Sequence, residues 1–61
     1  MIYENIPNNP MMLLSFTNTK LRDEFKNLDD MCYDLEINRQ ELEEKLAMID
    51  YRYDSSLNRF I

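Results

Sequence analysis

Chemistry in a protein starts from nucleophiles, bases and metal ligands, and here that set is sparse. Cys32 is the single thiol in a 61-residue chain without one histidine. A Cys–His nucleophilic pair and the usual zinc chemistry therefore have no residues to work with. Leu28, Met31, Cys32 and Leu35 also share one helical stripe, so the thiol reads as a small buried hydrophobe. The alternation Asp34-Leu35-Glu36-Ile37-Asn38 imitates the start of a calcium loop. It fails because Arg39 stands where that loop needs glycine and Lys45 where it needs a bidentate glutamate. Asp29 with Asp30, and Glu43 with Glu44, are sequence neighbours that diverge on a helix, so neither is an acid–base pair. We expect no enzyme, no metal and no cofactor.

Two binding chemistries remain to be weighed. Residues 28–49 have the length and buried pattern of a helix-turn-helix unit, with Met31, Cys32, Leu35, Ile37 and Leu42 inward. Glu36 holds the turn position where glycine is common, and Lys45 sits where the last buried residue belongs, with Leu46 one step late. Charge decides against a duplex partner: this stretch carries seven carboxylates against Arg39 and Lys45, which is the whole of the chain's net charge of −5, and phosphate contacts dominate affinity for DNA. Tyr33, Tyr51, Tyr53 and Phe60 could stack bases only beside a basic groove, and only Arg52 and Arg59 are near. Nucleic acid is disfavoured. An acidic face of Glu36, Glu41, Glu43 and Glu44 could instead meet a basic protein partner.

The elements that position these residues follow from caps and spacing. Absent Gly and Val, with abundant Leu, Glu and Met, favour helix over strand. Residues 1–9, with Asn5, Pro7, Asn8 and Asn9, read as an extended arm. Asn9 before Pro10 is a helix start, because Asn caps an orphan amide and Pro at the first helical position gives up no needed N–H. Helix 1 is expected over 10–26. Asn27 caps helix 2 over 28–36. Asn38 with Glu41, and Ile37 with Leu42, have the spacings of a capping box and a hydrophobic staple, which starts helix 3 over 39–50. Tyr53, Leu57 and Phe60 continue the helical spacing, yet Asp54 before Ser55 and Ser56 looks like a fresh cap. That predicts a break near Asp50 and then a short C-terminal segment or fourth helix over 51–61. The fold class is all-α, a small three-helix domain with a helix-turn-helix-like hairpin.

Ile6-Pro7-Asn8, Met12-Leu13-Leu14-Ser15, Asn18, Leu21-Arg22-Asp23, Leu28-Asp29, Cys32, Tyr51, Tyr53-Asp54, Asn58 and Phe60 lie in an order and at intervals that resemble a family of short bacterial proteins, the domain of unknown function 4250. The resemblance spans nearly the whole chain. It implies a small bacterial cytoplasmic protein and carries no activity, cofactor or site residue. This chain departs from the family pattern at Asp50, where glycine is common and would take a left-handed helix stop without steric cost.

Size then bears on partners. A chain this short buries only about 60% of its unfolded surface, and one cysteine excludes an internal disulfide, which leaves oligomerisation or unusually good packing as reinforcement. The longest apolar run, Met11 to Leu14, is far too short for a bilayer, so no membrane partner is expected. The amino-terminal residues lack a secretory pattern, which with the lone thiol points to reducing cytoplasm. Met11, Leu14, Asn18, Leu21, Phe25 and Leu28 keep heptad spacing, with Asn18 at a seam position where an amide can fix register between two chains. Met12, Leu13 and Phe16 widen the apolar surface. The expected function is a protein–protein interaction or self-associating module, a homodimer or a contact with another protein through Met11, Met12, Leu13 and Phe16, with a degenerate helix-turn-helix regulator as the alternative. If Asn38 caps helix 3, Asn38→Ala should cost about 0.5–2 kcal/mol in urea unfolding. An unchanged midpoint would mean that no cap is there.

Overall fold

The computed structural model describes residues 6–61; the part of the amino-terminal arm at 1–5 lies outside the described residues. Three helices come first in the chain, α1 (Pro10–Asp23), α2 (Leu28–Leu35) and α3 (Arg39–Ala47), and two short strands follow, β1 (Tyr53–Asp54) and β2 (Arg59–Phe60). Each helix begins on an asparagine. Asn9 Oδ1 accepts from the Met11 and Met12 amides at 2.9 and 3.2 Å, Asn27 Oδ1 from Asp30 at 2.7 Å, and Asn38 Oδ1 from Glu41 at 2.9 Å. Each cap satisfies amides that the first turn leaves orphaned.

The helix ends are set by closures that a glycine would ordinarily supply. After α2, Glu36 turns left-handed at φ 56°, and the Ile37 and Glu36 amides reach back to the Cys32 and Tyr33 carbonyls at 2.9 and 3.3 Å. After α3, Asp50 does the same at φ 66°, with Tyr51 on Leu46 and Asp50 on Ala47, both at 3.0 Å. Both pairs of bonds are Schellman closures. Asp50 thus takes the left-handed stop that its side chain disfavours, and the regular helix ends at Ala47, short of residue 50. α1 stops at Asp23 rather than at 26. The amides of Glu24 and Phe25 both turn onto the Lys20 carbonyl at 2.8 and 3.1 Å, which frees Phe25 to fold back on the core.

The C-terminal segment is a β-hairpin and not a fourth helix. Tyr53 pairs with Phe60 and Asp54 with Arg59 in antiparallel register, and Arg52 and Ile61 exchange both backbone bonds at 2.9 Å beyond them. Asp54, which reads in sequence as a cap, does cap, but it caps a turn. Its Oδ1 accepts from the Ser56 amide at 2.9 Å, the Ser56 hydroxyl at 2.6 Å and the Leu57 amide at 3.0 Å, and these bonds hold its carboxyl below the usual carboxylate range. Asn58 completes the reversal at φ 54°, a conformation Asn tolerates better than most residues.

Two strands of two residues are not stable alone. This hairpin is held by α1, where Asn18 Nδ2 donates to the Phe60 carbonyl at 3.1 Å and Asn18 Oδ1 accepts from the Phe60 amide at 2.8 Å. A primary amide offers the same donor and acceptor as a peptide group, so Asn18 serves as a third strand one residue long. It therefore does not fix register between two chains as its heptad position suggested. A second clamp runs through Asn58, whose Nδ2 donates to the Leu21 and Phe25 carbonyls at 3.1 and 3.0 Å. Its Oδ1 accepts from the Tyr53 hydroxyl at 2.7 Å, and that hydroxyl accepts from the Leu28 amide at 3.2 Å. The end of α1, the start of α2 and the hairpin meet in this network.

Around these clamps lies one apolar core. Leu13, Leu14 and Leu21 of α1 pack with Leu28, Met31 and Cys32 of α2, Leu42 and Leu46 of α3, and Phe60 of β2. Leu28, Met31 and Leu46 are fully buried; removing such a Leu or Met side chain typically costs about 2–5 kcal/mol. No helix among the described residues is long and apolar enough to cross a membrane.

Thr17 and Asn18 are neighbours with opposite polar standing. Thr17 is fully buried and its hydroxyl has no hydrogen-bond partner among the described residues, whereas both ends of the Asn18 amide are bonded. Asn18→Ala should destabilise by about 1–3 kcal/mol in urea unfolding, because it strands the Phe60 peptide. Thr17→Val, which removes an unpaired hydroxyl at equal shape, should be neutral or stabilising. A costly Thr17→Val with a harmless Asn18→Ala would refute this assignment of the clamp.

Candidate functional site

Of the residues read from sequence as an interface on α1, the structure leaves some on the surface and takes one inside. Met11 and Met12 are 56% and 61% exposed, Phe16 is half-buried, and Leu13 is 2% exposed in the core. Leu13 is therefore not an interface residue. The hairpin and the two other helices pack against α1, so more of its circumference is covered than a three-helix reading allowed. Phe16 is flanked on its own helix by Lys20, whose ammonium lies 5.7 Å from the ring centroid and 2.9 Å from Glu24. The aliphatic stem of Lys20 is buried while its charge stays paired, a common arrangement for lysine at a core margin.

The four carboxylates of the acidic face do not converge. Glu43 turns to Arg39, whose Nε donates to it, while Arg39 Nη1 donates to Asp29 at 2.6 Å. The guanidinium also stands 5.5 Å from the Tyr53 ring centroid, and the two carboxylates raise its pKa further. This cluster ties α2, α3 and the hairpin together and leaves Glu43 a structural residue. Glu36 sits in the interhelical turn. Glu44 accepts from Gln40 at 3.3 Å. Glu41 borders a small cleft of about 170 Å³ with Ile6, Pro7 and Ile37, and Lys45, one turn further along α3, reaches Asn8 Oδ1 at 2.7 Å.

The tyrosines likewise do not form a platform. Tyr33 is 88% exposed on α2, whereas Tyr53 is tied into the asparagine network and lies 5.6 Å from the Phe60 ring at 52°. Cys32 is buried, and burial pushes its thiol up, with Arg39 pulling weakly the other way. A thiol with a raised pKa and so little exposure is a poor nucleophile. Among the described residues no group of His, Cys, Asp or Glu could hold a metal ion.

A cleft of about 690 Å³ lies between α1 and the hairpin, lined by Leu14, Ser15, Thr19, Arg22, Leu57 and Arg59 among others. Ser15, Thr19 and Arg22 fall on one helical face at i, i+4 and i+7. That polar stripe is legible in the sequence, but it runs beside the stronger apolar stripe of the same helix, which masks it. Arg59 had no legible place, since it reaches the cleft only through the hairpin. Arg22 is bonded to Asp23 through Nε at 2.8 Å and Nη2 at 3.0 Å, which holds the Asp23 carboxyl below its usual range.

The family model described as a domain of unknown function, DUF4250, matches residues 7–60. No curated protein and no solved structure matches the chain. The environment of Cys32 gives a direct check on its chemistry: alkylation by iodoacetamide at neutral pH should be at least about tenfold slower in the native protein than in urea. Equal rates would place the thiol at the surface and reopen it as a nucleophile.

Proposed function

The match over residues 7–60 makes this chain a member of the DUF4250 family, and we propose that it is a non-catalytic interaction module whose partner is a second copy of itself, met through the amino-terminal turns of α1. The observation that carries this reading is the exposure of two consecutive large apolar side chains, Met11 at 56% and Met12 at 61%. Ile6 adds a third at 38%, and Phe16 stands half-buried one turn beyond Met12. Methionine suits such a surface because its unbranched thioether repacks at low cost.

Charge selects the occupant. The chain is 31% charged with a net −5, yet residues 5–19 contain no charged side chain. Two copies repel each other over most approaches, and this uncharged turn is where they meet without opposed carboxylates. The patch comprises a few side chains, well below the roughly 800 Å² per partner of a standard interface, so the dimer is weak and concentration-dependent. The left-handed turn at Glu36 favours the second reading, a helix-turn-helix regulator. The seven carboxylates of 28–49 weigh against it more heavily, since an acidic docking face opposes phosphate.

Sedimentation equilibrium tests the dimer. The apparent mass of the wild type should rise through the high-micromolar range, while Met11→Glu with Met12→Glu stays monomeric with an unchanged circular dichroism spectrum. Both positions are exposed, so the double variant keeps its core. A wild type that remains monomeric, or a double variant that associates equally, would overturn the reading.

A further inference from the structure

We infer that the cleft between α1 and the C-terminal hairpin is a binding site for a small organic phosphate, held at its head by Arg22, Arg59, Ser15 and Thr19 and at its body by Leu57 and Leu14. The cleft is about 690 Å³, within the range of small-molecule sites. It has one arginine on each wall, Arg22 on α1 and Arg59 on β2, and no carboxylate lines it among the described residues. In a chain of net charge −5, such a lining is contrary to the average surface.

Unspent donors distinguish this cleft from an ordinary polar groove. The Arg59 guanidinium makes no hydrogen bond with the described residues and is drawn only electrostatically toward Asp54, its cross-strand partner, and neither the Ser15 nor the Thr19 hydroxyl has a hydrogen-bond partner among them. Arg22 commits two of its N–H groups to Asp23, in an exposed pair that contributes little and opens easily. By contrast, Asn58, which also borders the cleft, spends both amide N–H groups on Leu21 and Phe25 and its oxygen on Tyr53, and the Asn18 amide is bonded at both ends to Phe60. The clamps therefore build the walls and leave the four remaining donors for a ligand.

The number and kind of donors identify the ligand. Two guanidinium forks and two hydroxyls exceed what the two oxygens of a carboxylate can accept and match a phosphate monoester, with three terminal oxygens. Leu57 is 55% exposed at the rim, while Leu14 is 8% exposed below it. An apolar or planar body attached to the phosphate would cover both, and the volume exceeds what inorganic phosphate alone would fill.

Amide chemical-shift titrations of the intact protein with phenyl phosphate, inorganic phosphate and benzoate test each part. Phenyl phosphate should give saturable shifts at residues 14–22 and 57–59, inorganic phosphate the same set with weaker binding, and benzoate weaker binding than phenyl phosphate. Arg22→Gln and Arg59→Gln, both exposed, should keep the native spectrum and each lower phenyl phosphate affinity by about tenfold or more. No saturation by either phosphate up to about 10 mM would overturn the site. So would equal affinity in the Arg22→Gln, Arg59→Gln double variant. Benzoate binding as tightly as phenyl phosphate would overturn the phosphate assignment.

Discussion

The side-chain amide of Asn18 is the contact on which the rest of this structure depends. Phe60 is 2% exposed, and its ring closes the core only if its own peptide group is satisfied away from water. A two-residue strand leaves one edge of that peptide bare. Asn18 fills the edge with a donor and an acceptor in the geometry of a strand neighbour. Through that pair the hairpin packs on α1, the core gains its largest buried side chain, and a chain with no disulfide acquires a tether between residues 42 positions apart.

Asparagine does in this protein much of what glycine and disulfides do in others of its size. Three asparagines start the helices, one clamps the hairpin, and one reverses the chain while bonding the carbonyls of Leu21 and Phe25. With no glycine available, left-handed backbone falls to Glu36, Asp50 and Asn58, at a steric cost of about 1 kcal/mol or more each. Such costs are tolerable where local bonds over-determine the conformation. They do so here: two backbone bonds close each of α2 and α3, and the Asn58 amide spends both its N–H groups and its oxygen. The Asp50 departure from the family pattern is accommodated on the same terms.

What could be read from the residues divides by the range of the forces involved. The caps at Asn9, Asn27 and Asn38 rest on bonds spanning two or three positions, and the core stripe of α2 on one helical period, so both were legible locally. The hairpin was not, because Tyr53, Leu57 and Phe60 keep a helical spacing as well as positions compatible with a turn and its flanks. Only the distant Asn18 chooses between them. The same blindness placed Leu13 on an outer face and Asn18 in a seam between chains. Each error follows from setting only α2 and α3 against α1, where the hairpin packs as a third neighbour. Arg59 shared that fate, and with it the basic side of the cleft, because a charge on an unrecognised strand has no face to be assigned to.

The division of labour along α1 follows from how little chain there is. Its amino-terminal turns carry no charge and keep two methionines in water, its middle supplies Leu13, Leu14 and the Asn18 clamp, and its last turns set Arg22 opposite Arg59. A larger domain would distribute a core wall, a fastening and two surface regions over separate layers. Here all are phases of one 14-residue helix, and the acidic α2–α3 hairpin balances it elsewhere on the surface. The consequence is a coupling between them. Any change that loosens Asn18 from Phe60 moves β2 away from α1, opening the core at Phe60 and separating the two arginines in the same displacement, so core stability and the geometry of the cleft cannot be varied independently.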